Sequence, residues 1–168
     1  MMTEPVLTAV EVLKWNETTS ASWRKLLAAN PEILALACDI AGTSSIAGLL
    51  QHIVAVELRY AQRIAGQLET EYAEIPFDSV EAIYGTHDRA MAMYRGVLGG
   101  ETKWEESIDF VTRRGGKLRV TRRTVLFHAC FHSIRHYAQL STLVRPHGYK
   151  TDIPGDYLFM GMQPLASS

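Results

Sequence analysis

The stretch TRRTVLFHACFHSIRHYAQLSTLVR, residues 121–145, decides how this chain is read. Its histidines, His128, His132 and His136, stand four residues apart. An α-helix turns about 100° per residue, so each step of four drifts by only about 40°. The three imidazoles therefore lie nearly in line, and Val125, Ala129, Gln139 and Leu143 share their stripe. Such a stripe is expected to face a core. Imidazoles in its middle need a reason, and a shared metal ion is the most economical one.

Three more helices are expected upstream. Helix one runs from Pro5 or Thr8 to Ala29, with Thr8 and Glu11 at capping-box spacing and Pro31 marking its end. Residues 30–44 read as an irregular connector. Helix two starts at the Thr43-Ser44-Ser45 cluster and runs to about Gln67. Ile46, Leu49, Leu50, Ile53, Val56, Tyr60, Ile64 and Leu68 give it a helical period, and His52 flanks that inward face. Helix three starts at Asp78, with Glu81 three residues on, and ends at Gly99-Gly100. His87 lies on its apolar stripe. Residues 107–112 and 117–120 are short alternating stretches around the turn-like Arg113-Arg114-Gly115-Gly116, so a small β-hairpin or structured loop is expected there. Helix four covers about Thr121 to Leu143. Four amphipathic helices of about 20 residues make an all-α four-helix bundle, a single domain over 1–168. The long connections after helices one and three permit parallel neighbours. The tail carries Tyr149, Tyr157, Leu158, Phe159 and Met160, and part of it is expected to pack on the bundle.

Composition narrows the function classes. The formal net charge is −1 and no long Lys/Arg run occurs, which gives nucleic-acid binding no support. No apolar run reaches membrane-spanning length, and the first residues, with Glu4 among them, do not read as a secretory signal. Cys38 and Cys130 form no CxxC or finger spacing, so they read as reduced, buried thiols of a cytoplasmic protein. Cys130 points away from the histidine stripe and is a poor ligand.

Two histidines at i and i+4 place both rings on one side of a helix, one turn apart, and can chelate one ion. Spacing alone permits His128/His132 or His132/His136. All three cannot easily serve one ion, since His128 and His136 are about 12 Å apart along a straight helix. The third ligand has to come from another element, and His52 is the natural candidate. The competing reading is a set of core histidines hydrogen-bonded to carbonyls or carboxylates, which is the expected state of His87. His147, in a Pro-His-Gly turn, is expected in solvent. An HExxH protease site is not supported, because Ser133 follows His132. A di-iron carboxylate pattern is not supported either, because helix four has no acidic residue. Glu57 reads as a surface or interhelix ion pair near Arg59 and Arg63, or as a group supporting a ligand.

The order of these features resembles the DinB/YfiT-like superfamily of metal-binding bundles. The similarity rests on Trp15-Asn16, on the run from Ser45 to Tyr60 (SIAGLLQHIVAVELRY), on the run from His128 to Leu140 (HACFHSIRHYAQL), and on Gly148 and the tail from Asp156 to Met160. It implies an up-down-down-up bundle with a three-histidine site. By motif the ligands are His52, His132 and His136; His128 falls on a non-ligand position and Gln139 on the motif's glutamine. Arg135 stands where the family often has histidine, Tyr137 where it has arginine, and Ala138 where it has glycine.

These readings lead to a divalent ion (zinc, nickel or iron) on three imidazoles, with His128, Gln139 and Glu57 as supporting groups. The expected activity is a metal-dependent thiol S-transferase or a hydrolase-like enzyme acting on a small thiol or another small molecule. The alternative is a stress-response or binding protein in which the metal is structural or vestigial. Neither nucleic acid nor membrane is an expected partner; the bundle is expected to fold as a monomer, with a homodimer through an exposed bundle face as the alternative. Ligand imidazoles have to be neutral, so metal binding is expected to weaken below about pH 6.

Overall fold

In a computed structural model of the chain, described over residues 5–112, 116–151 and 155–162, the expected bundle forms. The helices are α1 (Ala9–Ala29), α2 (Ile46–Ile64), α3 (Val80–Gly99) and α4 (Arg122–Val144). Each begins on a side-chain cap that satisfies an otherwise unpaired backbone N–H. Thr8 and Glu11 complete a reciprocal capping box on α1. Ser45 accepts from Gly48 N–H, Ser79 from Ala82 N–H and Thr121 from Thr124 N–H. The third helix is thus capped by Ser79, one residue after the expected Asp78, because the Ser79 hydroxyl makes the capping bond.

The second helix stops at Ile64, three residues before the expected Gln67. Gly66, at φ 69°, closes it: its N–H bonds Arg63 C=O at 3.2 Å, and Gln67 N–H bonds Gln62 C=O at 2.8 Å. This is a Schellman closure, and glycine takes the left-handed position without a Cβ penalty. Leu68, expected on the inward stripe, lies beyond the stop and is 94% exposed. The connector after α1 holds two short 3-10 turns, Pro31–Ala35 and Ile40–Gly42, and buries Ile33.

Two apolar clusters establish the topology. In one, Trp23 and Leu27 at the end of α1 meet Ile46, Leu49 and Leu50 at the start of α2, Val80, Ile83 and Tyr84 at the start of α3, and Tyr137, Leu140 and Val144 at the end of α4. In the other, Val12 and Leu13 meet Leu58, Ala61 and Ile64, then Ala90, Met91 and Tyr94, then Val125, Leu126, Ala129 and Cys130. So α1 and α4 run one way while α2 and α3 run the other, which is up-down-down-up. Helices α1 and α2 each pack beside both α3 and α4. The antiparallel hairpin, β1 (Ser107–Thr112) with β2 (Gly116–Thr121), pairs Ser107 with Thr121 and Thr112 with Gly116. Residues 113–115 of the expected turn lie outside the described residues. Ile108 and Val120 lean on the second cluster. In the tail, Trp15 Nε1 donates to Gly155 C=O at 3.0 Å and its ring meets Tyr157 edge-on, while Leu158 and Phe159 stay exposed. Among the described residues, no helix is long and apolar enough to cross a membrane.

Candidate metal centre

Between the two apolar clusters lies a layer of buried polar groups. From α1 come Asn16, Thr19 and Ser20, from α2 Glu57, from α3 Thr86 and His87, and from α4 His132, Ser133 and His136. The layer has two parts, a carboxylate knot inside the bundle and a histidine cluster at the seam of α2 and α4.

The knot is tied at Glu57, which is fully buried. Its Oε1 accepts from Asn16 Nδ2 at 3.0 Å and from Ser133 Oγ at 2.7 Å, and its Oε2 meets His87 Nδ1 at 2.7 Å. Tyr94 O–H donates to the Glu57 backbone carbonyl at 2.9 Å. One residue thereby joins all four helices. Surface pairing of Glu57 with the α2 arginines does not occur; Arg59 and Arg63 both bond Glu69. The interhelix alternative does hold, with His87 as the partner. Burial works to push the His87 imidazole down, but the Glu57 carboxylate beside it outweighs burial and holds it above the usual value. As expected, His87 is therefore a paired core histidine.

In the cluster, His132 Nε2 lies 3.0 Å from His52 Nε2 and 3.2 Å from His136 Nε2. Of the two spacing pairs left open by the sequence, His132/His136 is the one that converges with His52, and ligand atoms of the three lie within 4.8 Å of one another. Two imidazole nitrogens sharing a tetrahedral ion at about 2.0–2.1 Å would stand about 3.3 Å apart. The observed separations are near that edge, so the donor set fits a small divalent ion. His132 and His136 are buried, and His52 is half-buried, so the cluster lies just beneath the surface.

The proton positions favour the same use. His136 Nδ1 faces Gln139 Oε1 at 2.6 Å, and Arg135 Nη2 lies 3.3 Å from His136 Nε2. A guanidinium only donates, so His136 Nε2 carries the lone pair and Nδ1 carries the hydrogen that Gln139 accepts. Gln139 therefore holds His136 in the tautomer a metal ligand needs. Burial first, then the neighbouring His136, His52 and His128 and the Arg135 charge, push His132 down to about 2. Burial also lowers His136, with Arg135 adding to it against the Gln139 bond. Neutral imidazoles are the metal-binding form. His132 Nδ1 is buried without a hydrogen-bond partner among the described residues.

His128 departs from the core-facing stripe. It is exposed and stacks on Tyr60 with ring centroids 5.7 Å apart, while its ring lies 5.7 Å from that of His132. The drift of the stripe carries it out of the seam. Cys130 is buried on the other side of α4, and burial pushes its thiol up to about 12, which rules against a thiolate ligand. His147 is exposed, as expected. The residues that sequence reasoning missed are Asn16 and Ser133 of the knot. Asn16 is marked by its place in the Trp15-Asn16 pair of the resemblance and by being polar on the stripe Val12, Asn16, Thr19, Trp23, but neither names its partner.

Two predictions arise from this geometry. Replacing Gln139 with leucine removes the acceptor that orients His136. The expected result is a metal affinity weaker by about 10- to 100-fold, read by competition with a chromophoric chelator; unchanged affinity would show that Gln139 does not set the ligand. The second concerns pH. His128, His132 and His136 are all depressed, so in the unfolded chain they take up protons near pH 6.5 that the native state refuses. Metal-free protein is therefore stable above that value and loses stability as pH falls below it. His87, raised, acts in the opposite sense: its contribution is present below about pH 6.5 and is lost as pH rises through its folded value. Three groups against one make a chelated sample melt lower at pH 5.5 than at pH 7.5, and a higher melting temperature at pH 5.5 would contradict this balance. The depressed values also move proton competition for the metal to more acidic pH than the free-imidazole value implies.

A four-helix bundle with a three-histidine cluster in its α2–α4 seam is an arrangement that could hold a metal ion. The DinB family model matches residues 2–163, nearly the whole chain, and the protein belongs to the DinB family. No curated protein shows significant similarity to it.

Proposed function

We propose that this protein binds one divalent ion, zinc, nickel or iron, on His52, His132 and His136, and acts through that ion on a small thiol or another small molecule. The observation that carries the reading is the convergence of three imidazoles from two helices, with His132 Nε2 3.0 Å from His52 Nε2 and 3.2 Å from His136 Nε2. Three protein donors leave a coordination position for a ligand, as in catalytic sites and unlike closed structural ones. An ion held by these three residues would supply Lewis acidity there, making a thiol or water more acidic near neutral pH. The chain's part is to keep the donors unprotonated by burial, to fix His136 through Gln139, and to brace α4 through Ser133 on Glu57. Thiol S-transfer is the first reaction to test. In it the thiol would lose its proton to solvent, its sulfur would bond to an electrophilic carbon, and the leaving group would depart with the electron pair of the broken bond to that carbon.

One observation favours the alternative, a stress-response or binding protein with a structural or vestigial ion. A cavity of about 380 Å³ lies on the α1–α4 side, lined by Thr19, Trp23, Tyr137 and Ser141, and none of the three histidines lines it. The deciding experiment uses tag-free protein loaded with one metal at a time and screened for thiol transfer and for ester or amide hydrolysis. Turnover that needs the metal and disappears in the His52→Ala variant supports the enzyme. Stoichiometric metal with no turnover of either kind supports the alternative. The two free thiols suit a reducing cytoplasm, and gel filtration distinguishes a monomer from a homodimer through an exposed bundle face.

A further inference from the structure

The histidine cluster brings no negative charge of its own. The three donors are imidazoles, which carry no negative charge, and α4 contains no acidic residue. Two carboxylates on and just after α2 are engaged elsewhere. Glu57 is bound by Asn16, Ser133 and His87, and Glu69 by Arg59 and Arg63. The charged side chain that acts on His128, His132 and His136 alike is a cation, Arg135.

Arg135 is exposed and pairs with no carboxylate among the described residues. Its Nη2 lies 3.3 Å from His136 Nε2, the lone pair that a metal would take. A guanidinium has donors and no acceptor. Once an ion holds that lone pair, Arg135 loses its partner and stands beside a dication. Two metal charges and one guanidinium charge then share a rim where, among the described residues, no carboxylate pairs with Arg135, so an anionic ligand is favoured there. The planar fork of arginine suits a carboxylate or phosphate, which it can hold with two parallel hydrogen bonds.

We propose that Arg135 is the specificity-determining residue of this centre, and that the centre selects bifunctional anions: molecules with one donor atom for the metal and a separate oxyanion group that pairs with Arg135. This rests on the metal-binding reading given above and narrows its substrate class. A neutral thiol of the same shape satisfies the ion and leaves Arg135 unpaired, so it binds less well.

The test uses the full chain loaded with cobalt(II), whose visible absorption reports ligand exchange at the metal. Mercaptoacetate and its methyl ester have the same sulfur donor and differ in the free carboxylate. Wild type is expected to bind mercaptoacetate more tightly than the ester by roughly ten- to a hundredfold, the range of a charge-assisted hydrogen bond. R135Q should bring the two affinities together by weakening mercaptoacetate alone. R135K, a point charge without the fork, should keep part of the preference. R135Q should also raise affinity for the metal itself when no anion is present. A wild-type ratio near one, or a full ratio retained in R135Q, overturns the proposal while the metal centre stands. Absence of stoichiometric cobalt binding in wild type overturns the centre and the proposal with it.

Discussion

Glu57→Ala is expected to destabilise the bundle by about 3–5 kcal/mol, the cost of breaking a buried charge pair and abandoning its partner. The carboxylate holds Asn16 of α1, His87 of α3 and Ser133 of α4, all from within the core. Removing it takes the partner from Asn16 Nδ2 and His87 Nδ1 and leaves Ser133 Oγ with its Ala129 C=O bond alone, all within a layer buried from water. For a domain of this size each kcal/mol moves the melting temperature by about 2–4 °C, so a fall of roughly 10 °C is expected in calorimetry. Glu57→Gln keeps the volume and one acceptor, and it should cost less. His87→Ala breaks the same pair from the other side and should fall between them, without changing metal content. If Glu57→Ala melts within about 2 °C of wild type, the knot does not organise the bundle.

His132→Ala is expected to remove nearly all metal from the protein. His132 Nε2 is the atom placed within 3.2 Å of both other donors, so its loss breaks every close pair in the cluster. One neutral ligand of three is lost, and the remaining two belong to different helices. The apo fold should tolerate the change. The apolar clusters continue above and below the layer, and His132 Nδ1 has no hydrogen-bond partner to lose. A chelator should likewise lower the melting temperature of wild type without abolishing the transition, because an ion that binds only the native state stabilises it by mass action. Retention of wild-type metal by His132→Ala would mean that the ion sits elsewhere.

Much of this architecture is legible in one chain because it depends on local periodicity. The apolar stripes of the four helices, the Thr8–Glu11 box and the stop at Gly99-Gly100 are written within a turn or two of sequence. The i, i+4 pair His132/His136 is legible for the same reason. Other features are only partly legible. An interhelix ion pair is one of the readings open for Glu57, but its partners lie 41, 30 and 76 residues off, so sequence neighbours cannot name them. His128 shared a stripe with the ligands, but a drift of about 40° per step turns it out of a straight seam. Leu68 kept the helical period past Gly66, and the left-handed glycine ended the helix first. That glycine, just beyond an otherwise periodic run, was the available signal.

The central claim is that one ion is held by His52, His132 and His136 across the α2–α4 seam. X-ray absorption of tag-free protein loaded with one equivalent of zinc tests it most directly. The expected spectrum has three imidazole nitrogens at about 2.0–2.1 Å with one further light ligand, and a stoichiometry of one that His52→Ala lowers sharply. Zinc that fails to bind, or that binds with an unchanged spectrum in His52→Ala, would contradict the cross-helix centre and return the three histidines to the status of core residues.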